Sequence, residues 1–213
     1  MDHTELSRTP PHWFGHRLAA VDVETTGLDP MYHEVVQLAI LPLDGDIKPL
    51  KGVMPFQIFI KPEFPERINK DAMRVNNITI DKLLTVGVDR DTAIDQLITW
   101  KKKLGLGHTQ GGFERRLMPL AHNWPFDYSF LTALLGPTQF GEIFHPHYRD
   151  TLCVTEHVND DDIYHGVRPQ PYRHLKLTQL CTDLGIEYKN QHDALGDCVA
   201  VAELYRRILA RKV

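Results

Sequence analysis

Cysteine is scarce, with only Cys153, Cys181 and Cys198 in 213 residues. They form no CxxC pair and their number is odd, which argues against a disulfide framework and for reduced, intracellular thiols. No apolar run reaches the roughly 20 residues that a membrane span needs, and the first residues lack the apolar core of a signal peptide. A basic surplus is missing too: 24 Lys and Arg against 28 Asp and Glu leave a net charge of -4. That excludes coating nucleic acid through bulk charge and leaves local phosphate contacts open. The expectation is a cytoplasmic protein with no membrane partner.

The chain is 42% hydrophobic and 24% charged, enough for one globular domain with a sizeable core. A polar, Pro-rich extension over 1–16 is expected to precede a single domain over 17–213. Strands are expected from about Arg17 to Glu24, from Val35 and from Phe56, linked by turn residues that include Asp44, Gly45 and Pro49. Three strands with short links make an antiparallel meander. A short helix over Ile68–Val75 follows, then a longer one capped by Asp91. LMPLAH reads as a fourth strand and Phe126 to Leu135 as a helix stopped by Gly136-Pro137. A fifth strand is expected over Tyr148 to Val154. Leu177, Leu180, Cys181 and Leu184 form a helical stripe ended by Gly185, and a last helix runs from Ala194 to about Ala210. The result is a mixed sheet with helices packed on it.

Asp22 and Glu24 lie two residues apart in LAAVDVETTGL, on the strand face they share with Leu18 and Ala20. Both faces of that strand begin apolar, so it reads as interior. Two carboxylates roughly 7 Å apart there repel each other and lose hydration. No Lys or Arg is near in sequence, which makes a divalent cation the first candidate to compensate them. Asp127 heads the stripe Phe130, Leu131 and Leu134; Asp197 heads Val201, Leu204 and Ile208. Asp127 also suits a first-turn acid answering the helix dipole. Asp197 suits that less, because Asp193 is the better N-cap and the opposite side, Leu195, Val199 and Ala202, is apolar as well. Four inward carboxylates are compensated together by two divalent ions, which also build a phosphoryl-transfer site. His192, on the loop just before Asp193, can take a proton from an attacking water.

VDVETTGL, HNWPFD and HDALGD, in this order, resemble the three motifs of the DEDDh, DnaQ-like 3′–5′ exonucleases. KDAMRVNNIT resembles the segment after the third strand of that family, and YRDTL its fifth strand, so the likeness spans about Leu18 to Leu209. It implies a ribonuclease H-like α/β fold: a five-stranded mixed sheet, antiparallel in strands 1–3 and parallel in strands 4 and 5. It further implies that Asp22, Glu24, Asp127 and Asp197 hold two Mg²⁺ or Mn²⁺ ions, with His192 as general base. The backbone around Thr25 and Thr26, together with Leu28, Asn123 and Phe126, would hold the terminal nucleotide. The implied reaction is hydrolysis of single-stranded nucleic acid from its 3′ end, DNA ahead of RNA, to nucleoside 5′-monophosphates. Trimming of RNA in the manner of ribonuclease T or oligoribonuclease stays open. So do a catalytically silent nucleic-acid-binding module and a phosphodiesterase for small nucleotides. A homodimer and a replication or repair partner are compatible with the same likeness.

Other features have two readings each. GLGHTQGGFERR is expected as a loop, a candidate neighbour of the active site, and the acidic run Asp160 to Asp162 as another loop. Arg168, Arg173, His174 and Lys176 suit phosphate contacts or a solvated basic surface equally. Lys101 to Lys103 suit the end of a helix, where positive charge answers the dipole, ahead of nucleic-acid binding. Trp124 suits either base stacking or the core.

Overall fold

A computed structural model describes residues 15–109, 111–189 and 191–211. Of the expected N-terminal extension, residues 1–14 lie outside these. Five strands form one sheet: β1 (Arg17–Thr25), β2 (Val35–Pro42), β3 (Phe56–Phe59), β4 (Leu117–Ala121) and β5 (Arg149–Asp150). Their order is β3-β2-β1-β4-β5. The first three pair antiparallel, whereas β1 with β4 and β4 with β5 run parallel. This is the expected mixed sheet. The helices are α1 (Lys70–Val75), α2 (Ile80–Val86), α3 (Arg90–Lys103), α4 (Trp124–Ile143), α5 (Thr151–Tyr164), α6 (Leu177–Asp183) and α7 (Ala194–Leu209). Among the described residues no helix is long and apolar enough to cross a membrane.

β1 is central and its alternation builds both layers. Ala19, Val21 and Val23 join Leu97 of α3 and Phe130 and Leu131 of α4 in one core. Leu18 and Ala20 join Ala194, Cys198 and Val201 of α7 in the other. Asp22 and Glu24 continue the α7 face to the carboxyl end of the strand.

Several expectations are corrected. The cap of α3 is Asp89, which accepts the Thr92 N–H at 2.8 Å, and Asp91 sits in the first turn. α4 starts two residues early, with Pro125 in its first turn where a missing N–H costs nothing. It breaks at Gly136 (φ 74°, ψ 161°) as expected, then resumes to Ile143. The fifth strand is only two residues long, because Asp150 accepts the Leu152 N–H at 2.9 Å and starts a helix there. That helix, α5, absorbs Asp160 to Asp162; Asp162 is buried and paired with Arg211 at 2.6 Å. The described residues of GLGHTQGGFERR, 105–109 and 111–116, fold back on the end of α3, with Glu114 bound to Lys101 at 2.6 Å. They precede β4, at the end of the sheet opposite to Asp22 and Glu24, so they are no neighbours of the carboxylates. In α7, Ala202 is buried but Val199 is 46% exposed, so that helix has one open side.

Candidate metal centre and active site

Pairing of β1 with β4 ends at Ala20 and Leu120. Beyond it the Val23 N–H has no strand partner on that side and donates to Asp127 Oδ1 at 3.1 Å. A helix acid thus closes the open end of a strand and comes to stand beside Asp22. Its helix is aimed by a second carboxylate: Asp150 accepts the N–H groups of Asn123 and Trp124, both at 2.9 Å. Asn123 enters the helix in the left-handed region (φ 70°, ψ 54°). Asp150, 4% exposed, starts α4 and α5 together.

α7 is anchored with equal care. Asp193 caps it through the Gly196 N–H at 3.3 Å and accepts the side-chain amides of Gln37 at 2.7 Å and Gln57 at 3.1 Å. Asp197 then lies one turn in, facing the strand. One oxygen each from Asp22, Glu24 and Asp197 falls within 4.8 Å of the others. Tyr188 donates its hydroxyl to Asp197 Oδ1 at 2.6 Å.

A cavity of about 410 Å³ opens here, lined by Asp22, Glu24, Thr25, Leu28, Asn123, Phe126, Asp127, His192 and Asp197 together with Val75 and Asn76. All of the expected residues but one are therefore brought together. Thr26 is the exception: it is fully buried and accepts the Glu34 N–H on its hydroxyl at 2.9 Å. It shapes the loop from behind. Asn76, which the sequence did not single out, donates to the Thr25 carbonyl at 2.9 Å. A second cavity of about 520 Å³ shares Asp22, Asn123, His192 and Asp197 and continues past Lys176, Thr178 and Tyr188. Trp124 is buried among Phe140, Phe144 and Tyr148, so it belongs to the core.

Burial, then repulsion from Asp127, Asp197 and Glu24, holds the Asp22 carboxyl well above the ordinary range, although its side chain opens partly onto the cavity. Burial followed by Asp197 and Asp127 pushes Glu24 up to about 8. Asp127 is raised by burial against the pull of the Val23 N–H. Asp197 is raised by burial against Tyr188 and His192. No Lys or Arg lines the first cavity among the described residues. Crowded carboxylates without a cationic side chain, all hard oxygen donors, fit divalent ions of the Mg²⁺ and Mn²⁺ kind. Two imidazoles border the site. His122 is tied at both ring nitrogens, to Thr151 Oγ1 and to the Leu175 carbonyl, each at 2.8 Å. His192 stands on the turn before Asp193, with φ 59°.

Comparison with known proteins agrees with this geometry. A family model described as Exonuclease matches residues 19–110. Ribonuclease T of Buchnera aphidicola (subsp. Schizaphis graminum) is 26% identical over 196 residues, covering 90% of this chain and 82% of that protein. The PolC-type DNA polymerase III of Staphylococcus aureus (strain bovine RF122 / ET3-1) is 26% identical over 194 residues, 88% of this chain but 11% of the polymerase. Among solved structures, E. coli Exonuclease I in complex with a dT13 oligonucleotide superposes with a TM-score of 0.69 at 17% identity, over 92% of this chain and 41% of that one. The cell-death related nuclease CRN-4 gives a TM-score of 0.65 at 19% identity, over 91% and 63%.

Proposed function

We propose that this chain, which belongs to the DEDDh, DnaQ-like family of metal-dependent 3′–5′ exonucleases, removes nucleotides singly from the 3′ end of single-stranded nucleic acid. The observation that carries the reading is the meeting of Asp22, Glu24 and Asp197 within 4.8 Å of one another, with Asp127 and His192 on the same cavity. Asp22, Glu24, Asp127 and Asp197 would hold two divalent ions, Mg²⁺ or Mn²⁺, which when bound would supply the positive charge for activating water and stabilising the leaving oxygen. His192 accepts the water proton on a ring nitrogen; His122, already bonded at both nitrogens, does not compete. Leu28, 80% exposed, and Phe126 offer apolar surface to the terminal base. Asn123, Asn76 and the backbone at Thr25 orient its sugar. The scissile phosphate then lies over the carboxylates and the remaining strand leaves toward the second cavity. Released products are nucleoside 5′-monophosphates.

DNA is the first substrate to test, in keeping with the dT13 complex of the Exonuclease I neighbour. The likeness to Ribonuclease T favours RNA 3′-end trimming as the second reading. Matched DNA and RNA oligonucleotides labelled at the 5′ end, incubated with Mn²⁺, decide between them. Stepwise shortening of one strand type over the other names the substrate. Binding without shortening of either would leave a silent module and overturn the proposal.

A further inference from the structure

We infer that Tyr188 is a positioning residue for Asp197, locking the rotation of that carboxylate so that the divalent-cation site is formed before the cation arrives. The inference deepens the reading of the site given above and rests on it.

Tyr188 stands on the connection between α6 and α7, nine residues before Asp197. Its side chain packs against the core cluster that includes Leu180, Cys181 and Ile186, which backs it with residues of α6 and the connection. Its hydroxyl reaches across to Asp197 Oδ1 at 2.6 Å. The carboxylate can only accept, so the phenol is the donor. A short bond to an ionised group is among the stronger kinds of hydrogen bond. The terminal torsion of an aspartate is broad and two-fold, so packing alone does not set which way its oxygens point. One donor on Oδ1 does. The cap beneath leaves the backbone of Asp197 fixed through Asp193, Gln37 and Gln57. The His192 backbone N–H also bears on the Asp197 carboxylate, and Tyr188 adds the close side-chain donor on Oδ1 that sets its rotation. Tyr188 lines the second cavity with Asp22 and His192, and among the described residues it gives the one side-chain hydrogen bond to Asp197.

Partners of this kind change metal affinity by about 10- to 100-fold when removed. The test is a calorimetric Mn²⁺ titration of the full chain without nucleic acid. Tyr188→Phe keeps the ring and deletes the donor; it is expected to weaken Mn²⁺ binding about tenfold or more. The Mn²⁺ concentration for half-maximal hydrolysis should rise in step. Tyr188→His, which retains a donor, should recover part of the affinity. A folded Tyr188→Phe that binds Mn²⁺ as tightly as the parent overturns the inference. An equal weakening in Ile186→Val, which alters only packing behind the ring, overturns it as well. If Tyr188→Phe does not fold, Tyr188→Met decides, since it too lacks the donor: Mn²⁺ affinity about tenfold or more below the parent supports the role, and unchanged affinity refutes it. A parent chain that binds Mn²⁺ yet cuts nothing sinks the exonuclease reading and leaves Tyr188 in place; a parent that binds no Mn²⁺ sinks both.

Discussion

His192 holds φ at 59° and Asn123 at 70°, a region where L-residues other than Gly are uncommon. Such conformations cost on the order of 1–3 kcal/mol and persist where surrounding structure imposes them. Both residues precede a helix that delivers a carboxylate, Asp197 in one case and Asp127 in the other. The turn at His192 lets the chain present its imidazole to the cavity and still place Asp193 as the cap. His192→Ala is therefore expected to slow turnover by a factor on the order of 10² or more while Mn²⁺ affinity stays within about twofold. Single-turnover rates paired with a metal titration check this. A matching collapse of metal binding would make His192 a ligand instead of a base.

Two helices and one strand build the centre, and each is aimed by a polar group at its start. Asp193 ties α7 to β2 and β3 through Gln37 and Gln57, and Asp150 ties α4 to β5. Asp193→Ala should cost about 1 kcal/mol in denaturant unfolding, the usual worth of an N-cap, and lower turnover as well, since Asp197 and His192 flank it. Lost stability with an unaltered rate would contradict its aiming role. Elements with clean periodicity, β1, β2 and α7, were legible from residues alone, because burial on a fixed face leaves a regular pattern. The fifth strand was not. Tyr148 to Val154 carries strand-favouring residues, but the Asp150 carboxylate satisfies a helix start and local capping prevails over propensity. α2 escaped notice because only Leu83 of it is buried. Gln37, Asp150 and Tyr188 act across 9 to 157 residues of chain, and no local spacing signals such contacts.

For the molecule as a whole, the cost of the centre falls on stability. Burial and mutual repulsion raise the carboxyls of Asp22, Glu24, Asp127 and Asp197, with Glu24 up at about 8. A raised carboxyl means that the folded chain binds protons more tightly than the unfolded one. Its stabilising effect is complete below the ordinary value near 4.5 and is lost as pH rises through about 8. The metal-free protein should thus melt at a lower temperature at pH 8 than at pH 5.5. Mn²⁺ replaces the protons, so its stabilising effect should be larger at pH 8. Thermal melts in EDTA and in Mn²⁺ at the two pH values test this; a metal effect that shrinks toward pH 8 would contradict it. Three short motifs singled out the four acids and His192, which the fold brings to one cavity, while the second cavity could not be read, because it depends on segments that meet only in the folded chain.

The most direct test of the central claim is hydrolysis of a 5′-labelled single-stranded oligonucleotide in Mn²⁺ by the parent chain and by Asp22→Ala. The account predicts a ladder shortening from the 3′ end with release of 5′-monophosphates by the parent, and none by folded Asp22→Ala. Undiminished hydrolysis by Asp22→Ala, or an inert parent that binds Mn²⁺, would contradict it.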